Sequence, residues 1–407
     1  MNESDPLAWL NKHPFLGRVL FPSRDVRKKM LYIQLWTVVV ALFMLIGLAY
    51  LLPQYLRNSS PFYVAAAYVA FMTRTFFFHI GLLSILILGL CVWIRSRRLL
   101  LTTVILLLIS LGPELWSYRP RFPNPVGEGG SLQGKTLTVM SANLLGITRG
   151  FEARSRTIIA EIRSARPDVL LLQEYTDRWH EVLSSVLSSE LPYSRSVRRN
   201  DAFGTAIYSR HPFSQPVNLH VPLGTREVPQ VRAVIRLDGI KVAVYNIHLL
   251  PPVNLSYFAE HRRQLADLLD VLDREPLPTI VCGDFNFTSR SPHAAALNRS
   301  GLTDAHDLAG WGRGATWPVH GIFRWLPGIR LDHLYLRAPL KAVDSRTGPI
   351  TGSDHRPILV EIIIQSHQAA AAEAAGSVAR GKKMLKAVPC PGLLVTRMCP
   401  PLCSTTP

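Results

Sequence analysis

The sequence predicts an α+β protein: a sheet-on-sheet core flanked by helices, preceded by three helices that cross a membrane. Three observations carry this reading. Apolar residues concentrate in the first 115 of 407 positions. Beyond residue 135, short apolar runs bounded by Gly, Pro or Asp outnumber stretches of helical spacing and include a hairpin, which argues against a purely parallel, doubly wound sheet. Two polar clusters, Gly283-Asp284-Phe285-Asn286 and Gly352-Ser353-Asp354-His355-Arg356-Pro357, each abut such a run. Polar groups at strand ends project from a rigid scaffold, where chemistry is commonly mounted.

The membrane segments come first in the chain. Leu31 to Leu52 is an almost uninterrupted apolar run, long enough to cross about 30 Å of hydrocarbon. It is too long for a signal peptide, and no small-residue cleavage site follows. A second span runs from about Phe76 to Ile94, with Arg74 just outside its start and His79 near the interface. An ionisable group at that depth is a functional candidate or a side chain snorkelling to the headgroups. Leu99 to about Leu115 forms a third, shorter span. Basic clusters at 24–29 and 95–98 fall on one side of a three-span bundle, and the positive-inside rule makes that side cytoplasmic. Everything after residue 115 is then delivered to the opposite face of the cell's inner or plasma membrane.

Charge supports this division. Residues 1–134 carry 13 basic against 5 acidic side chains, residues 135–364 carry 27 against 22, and the remainder 5 against 1. Most of the net charge of +17 therefore lies outside 135–364, which weakens a nucleic-acid reading based on bulk charge. The organisation expected is a cytoplasmic segment 1–30, a membrane anchor 31–115, a Pro/Gly linker 116–134, a catalytic domain 135–364 and an unstructured tail 365–407. Cys91 and Cys282 fall in apolar elements and read as buried hydrophobes. Cys390, Cys399 and Cys403 lack metal-ligand spacing, so no disulfide framework is implied.

Within 135–364, Lys135 to Ala142 alternates as a strand ending at Asn143. Arg154 to Ala165 is helical and stops at Pro167. Asp168 to Leu172 is a buried strand followed by Gln173 and Glu174. Thr205 to Ser209 is a strand. Val231 to Leu237 and Lys241 to Leu249 form a hairpin across Asp238-Gly239, its second arm carrying Asn246 and His248. Glu260 to Leu272 is an amphipathic helix, Thr279 to Cys282 a strand leading into Gly283, Leu331 to Leu336 a strand with Asp332 near its start, and Ile358 to Ile364 the last strand. Each polar residue also has an ordinary use. Asn143 can cap a turn, His248 can be a satisfied core histidine, Asp284 and Asn286 can be turn chemistry, and Asp332 can cap a loop. Their joint occurrence at strand ends favours one assembled site. Carboxylates and amides without cysteine suit a hard divalent ion, Mg²⁺ or Mn²⁺. Histidines beside them suit proton transfer in phosphoryl chemistry.

At these positions the chain resembles the endonuclease/exonuclease/phosphatase (DNase I-like) superfamily, closest to its bacterial membrane-anchored members. The matching strings are Ser141 to Leu144, Leu172 to Glu174, Gly204 to Arg210, Asn246 to Leu249, Gly283 to Asn286, Leu331 to His333 and Ser353 to His355, in the family's order. The resemblance implies a four-layer αββα sandwich and Mg²⁺-dependent phosphoester hydrolysis. By position, Glu174 is implied as the principal metal carboxylate, with Asn143 beside it and Asp354 as a second metal contact. His355 is implied as the base or the group on the phosphate, and Asp332 as the carboxylate that orients it. Asp284 is implied to position or deprotonate water or protonate the leaving oxygen, and Asn286 and His248 to hold phosphate oxygens. Leu145 stands where some nuclease members carry Asp, which separates the chain from abasic-site endonucleases. The substrate expected is a lipid headgroup, a nucleic acid or a small phosphoester. The competing classes are an extracytoplasmic nuclease and an inactive membrane receptor on the same fold. The aromatic segment Trp311 to Trp325 reads either as membrane contact or as loop packing.

Overall fold

The computed structural model describes residues 24–119, 136–146 and 150–364. Most of the N-terminal segment, most of the linker, and the tail with its three cysteines lie outside them. Four helices open the described chain: α1 (Arg24–Leu51), α2 (Pro61–Thr75), α3 (Phe77–Ile94) and α4 (Arg97–Trp116). Three of them, spanning Asp25–Leu51, Phe77–Ile94 and Arg97–Trp116, are long and apolar enough to cross a membrane. The α3–α4 turn is made by Arg95 in the left-handed region and by Ser96, whose hydroxyl accepts from the Leu99 N–H as an N-cap. Lys28 Nζ lies 5.9 Å from the centroid of the Trp93 ring, so the two basic clusters share one end of the bundle.

The rest of the described chain builds two sheets between helices. One sheet has the order β10-β11-β1-β2-β4-β3, the other β5-β6-β7-β9-β8. In chain order these are β1 (Leu137–Asn143), α5 (Phe151–Ala165), β2 (Val169–Gln173), α6 (Asp177–Leu187), β3 (Tyr193–Val197), β4 (Thr205–Ser209), β5 (Val231–Leu237), β6 (Ile240–His248), α7 (Leu255–Asp273), β7 (Thr279–Asp284), α8 (Pro292–Arg299), β8 (Leu302–Asp304), α9 (Ala305–Ala309), β9 (Asp332–Arg337), β10 (Leu340–Thr347) and β11 (Ile358–Ile364). Inward-facing residues of both sheets, among them Val139, Leu171, Val244 and Ile280, form one core cluster. A second joins the outer face of the first sheet to α5 and α6 through Ile158, Trp179 and Leu183. A third joins the second sheet to α7 and α8. The result is the expected four-layer αββα sandwich. The predicted β5–β6 hairpin turns at Asp238 and Gly239, both at positive φ, as a two-residue turn matched to strand twist requires.

Helix α2 belongs to this third cluster. Val64, Ala67 and Phe71 are buried in it beside Phe258 and Leu265 of α7. Arg57 reaches Asp267 at 3.0 Å and Asp270 at 2.5 Å, and Arg262 donates to the Tyr55 and Asn58 carbonyls. Sequence periodicity did not reveal this helix as part of the domain, because the residues it covers lie some two hundred positions later.

The α2–α7–α8 seam contains a buried histidine pair. His261 and His293 stack at 5.0 Å, and the Phe71 ring lies 5.0 Å from His293. Burial pushes His261 down to about 4, although the Leu250 carbonyl it bonds opposes the shift. Burial likewise holds His293 well below the usual range. At these two positions the unfolded chain binds more protons than the folded one below about pH 6.5. Their contribution to stability is therefore complete above about pH 6.5 and falls toward pH 4, by on the order of 3 kcal/mol from His261 alone. Thermal unfolding of the full chain in detergent at stepped pH measures this, and His261→Gln should flatten part of the slope. An unchanged slope in that variant would exclude His261 as its source.

Candidate active site

Strand register brings the polar residues together. In the first sheet Asn143 of β1 lies opposite Gln173 of β2, with Glu174 the next residue. In the second, His248, Asp284 and Asp332 stand side by side across β6, β7 and β9. The two rows meet through one side chain: the Asn143 amide donates to Glu174 Oε1 and to Asp284 Oδ2, both at 3.1 Å. Gly146 N–H donates to Glu174 Oε2 at 2.7 Å. The loop before β11 closes the site from a third side. Ser353 Oγ donates to the Asn143 carbonyl and accepts from His355 N–H, placing His355 Nδ1 2.8 Å from Asp332 Oδ2. Asp284 Oδ2 lies 3.7 Å from Nε2 of both His355 and His248.

Asn286 and Asp354 stand at the margins. Asn286 N–H donates to Asp284 Oδ1, while its side-chain amide donates to the Leu249 carbonyl. Asp354 accepts from Trp317 Nε1 at 3.2 Å and raises Glu174 by proximity. Six of the eight residues singled out from sequence thus meet around Asp284 and Asn143, and Asn286 and Asp354 adjoin them. Leu145, Glu174 and Asn286 are non-glycine residues at φ 52, 56 and 52°. Such conformations cost roughly 1–3 kcal/mol each and persist where surrounding structure imposes them.

Electrostatics follow from burial. Desolvation raises Glu174, with the Gly146 and Asn143 donors opposing it. Desolvation raises Asp284 to about 6, Asp332 adding to the rise and the two imidazoles pulling against it. Burial alone would lower His355, but Asp332 and Asp284 outweigh it and hold the imidazole up at about 10. Burial keeps His248 below its ordinary value, hence neutral. Glu174, Asp284, Asp332 and Asp354 face one cationic imidazole and Arg154, a surplus of two negative charges. Asp332 Oδ1 and His248 Nδ1 are buried without a protein partner among the described residues. This donor set, mostly hard oxygen, fits a divalent cation.

Two groupings compete for such an ion. Ligand atoms of Asp284, Asp332 and His355 lie within 4.8 Å of one another. There the imidazole is already paired with Asp332 at 2.8 Å, whereas a metal-binding imidazole must be neutral. The other grouping is the Glu174 carboxylate with the Asn143 amide, beside Asp354.

Beneath the site lies a network whose amides, Gln173 and Asn246, stand in the matching strings but have no role assigned from sequence. Gln173 Nε2 donates to Asn246 Oδ1 at 2.6 Å, and Asn246 Nδ2 lies within 3.0 Å of the Leu172 and Ala206 carbonyls and of Thr205 Oγ1. These bonds tie the second sheet to the first directly under Asn143. Arg154 of α5, buried at the rim, donates to the Leu145 carbonyl and faces Asp354 and Glu174. Gly283 has φ +141°, and a Cβ there would lie 2.0 Å from the Ile247 carbonyl oxygen. Only glycine lets β7 approach β6 closely enough to align Asp284 with His248.

Residues 140–355 match the Endonuclease/Exonuclease/phosphatase family. The chain belongs to this family. Its members are generally phosphoester hydrolases that use divalent metals. The UPF0294 protein VV2535 of Vibrio vulnificus strain YJ016 is 30% identical over 131 residues, 31% of this chain. The chain spans only 41% of the length of that curated relative. Among solved structures, a humanized D. rerio TDP2 is 21% identical, covering 56% of this chain and 98% of that one at a TM-score of 0.48. The human Nocturnin catalytic domain with bound sulfate is 18% identical, covering 56% and 95%, at 0.45.

Asn246→Ala removes, at a buried position, an amide whose two N–H protons are shared among three acceptors and whose oxygen accepts from Gln173. It should cost about 2–4 kcal/mol, read as a lowered unfolding midpoint. Stability equal to the wild type would show that the sheets are not held together there.

Proposed function

We propose that the protein is a membrane-anchored, Mg²⁺-dependent phosphoester hydrolase, with Mn²⁺ as the alternative ion, acting on a substrate presented at the outer bilayer surface. The observation that carries this reading is Asp284, a buried carboxylate placed between two imidazoles and the Asn143–Glu174 pair. Glu174, with Asn143 and Asp354, would hold the cation. When bound, such an ion neutralises phosphoryl charge and lowers the pKa of water.

The chain's own groups do the rest. Asp332 accepts from His355 Nδ1 and so directs Nε2 into the site, where the imidazolium donates to phosphoryl oxygens. Asp284 accepts the proton of the attacking water as its oxygen bonds to phosphorus, the bond from phosphorus to the leaving oxygen breaks, and the His355 imidazolium supplies that oxygen's proton. His248 and Asn286 orient the phosphate. The positive-inside rule supports a catalytic domain outside the cytoplasm, because the basic clusters of α1 and the α3–α4 turn share the end of the bundle remote from the domain.

A membrane-resident substrate is favoured over nucleic acid by the loop from Trp311 to Arg330. At its ends it touches the membrane helices: the Trp311 ring packs edge-on at 5.2 Å against Tyr118, just after α4, and the Pro327 carbonyl accepts from His79 of α3 at 2.8 Å. Between them it touches the site, through Trp317 on Asp354 and through Thr316 Oγ1, which accepts from Asp332 N–H. Trp311 and Trp325 are 70% and 79% exposed, as interfacial tryptophans are.

In full-length protein reconstituted in nanodiscs, Asp284→Ala or His355→Ala should lower turnover of bis-p-nitrophenyl phosphate by roughly a thousandfold. EDTA should abolish turnover and Mg²⁺ restore it. Activity retained in either variant removes the proposed site. Replacing Trp325 and Leu326 by Ser should raise the apparent KM for vesicle phospholipid while leaving the soluble diester unaffected. Equal effects on both substrates would count against bilayer presentation.

A further inference from the structure

A second polar cavity, separate from the cluster around Asp284, lies where α4 meets the catalytic domain. Its volume is about 260 Å³, just below the roughly 300–1,000 Å³ of small-molecule sites, which suits a headgroup better than a whole ligand. One wall is the end of a membrane helix, from Pro113 to Ser117. The other is made of domain loops carrying Arg290, Arg313 and Arg330, and Arg119 completes the rim.

The charges do not balance. Arg330 is answered by Asp304 and Asp307 at 3.0 and 3.1 Å. Glu114 is shared by Arg290 and Arg313, at 3.3 and 3.2 Å. Arg119 makes no ion pair among the described residues and rests 4.4 Å from the Trp116 ring centroid. Four guanidiniums, of Arg119, Arg290, Arg313 and Arg330, thus meet three carboxylates, of Glu114, Asp304 and Asp307, which leaves a surplus of one positive charge. The Arg313 guanidinium is held 3.6 Å from the Phe78 ring centroid, so the cluster is pre-positioned by aromatic contacts. Its height is fixed by the helices. Glu114 and Trp116 lie in the last turn of α4, and His79, bonded to the domain, lies in the first turn of α3. This is the level at which lipid headgroups surround a spanning bundle.

We propose that this cavity binds the phosphate of an anionic phospholipid headgroup from the adjoining leaflet. Planar guanidiniums recognise phosphate oxygens in pairs, and the surplus charge selects an anionic over a zwitterionic lipid. The bound headgroup bridges α4 to the loops around Arg290 and Arg313, fastening the domain to the bilayer. The proposal does not rest on hydrolysis, and its test reads binding alone.

The test is native mass spectrometry of the delipidated full chain in detergent, with phosphatidylglycerol and phosphatidylcholine offered together. The wild type should retain one phosphatidylglycerol in preference to phosphatidylcholine. Arg119→Gln with Arg290→Gln should weaken that binding roughly tenfold or more. Arg119→Gln alone, which breaks no ion pair among the described residues, should weaken it several-fold and guards against misfolding of the double variant. Arg97→Gln with Arg98→Gln, at the far end of the bundle, should leave the retained lipid in place. No preference in the wild type, or equal loss from both ends, would overturn the proposal. Glycerol 3-phosphate displacing the lipid at equal concentration would also overturn it, by making the ligand a soluble phosphate.

Discussion

The structure turns on one amide. Asn143 donates to a carboxylate of each sheet, Glu174 and Asp284, and so joins two strand ends that would otherwise present like charges to each other at close range. Burying these acids costs free energy unless positive charge accompanies them. His355, held cationic by Asp332, supplies part of it, and Arg154 at the rim supplies more. What remains is a deficit of positive charge that a divalent cation would make good. The glycine at 283, the positive φ of Glu174 and the Asn246–Gln173 network are then understandable as the means of holding this arrangement against its own repulsion.

A second constraint is mechanical. The catalytic domain does not hang from the membrane helices by a linker alone. Phe71 and its neighbours on α2 are part of the domain's own hydrophobic core, and Glu114 at the end of α4 is clasped by two arginines from domain loops. The loop that carries Trp325 reaches both His79 and the active-site residues within a short stretch of chain. The apolar helices and the candidate site are therefore packed as one body.

Much of this was legible in the sequence. The three spans are apolar runs of sufficient length, and strands such as Val169–Gln173 and Thr279–Asp284 are short buried runs with polar residues at their ends. Their order along the chain identified the fold, and six of the eight polar residues drawn from it meet in space, with Asn286 and Asp354 adjoining them. Three things were hidden. Helix α2 is apolar around much of its surface, so nothing local tells which surface it will cover. Strands β3 and β10 alternate with mixed, half-exposed residues and give little periodic signal. Gln173, Asn246 and Arg154 act through partners distant in sequence, and a buried amide inside a strand looks like any other polar residue until its acceptors are known. The clasp between Glu114 and Arg313 was invisible for the same reason.

The most direct test of the central claim is calorimetric titration of Mn²⁺ into the full chain in detergent, comparing the wild type with Glu174→Gln. The account requires a cation held on the Glu174 side, so the wild type should bind the ion and the variant should lose that binding while keeping its fold. Absence of binding in the wild type, or binding unaltered by Glu174→Gln, would contradict it.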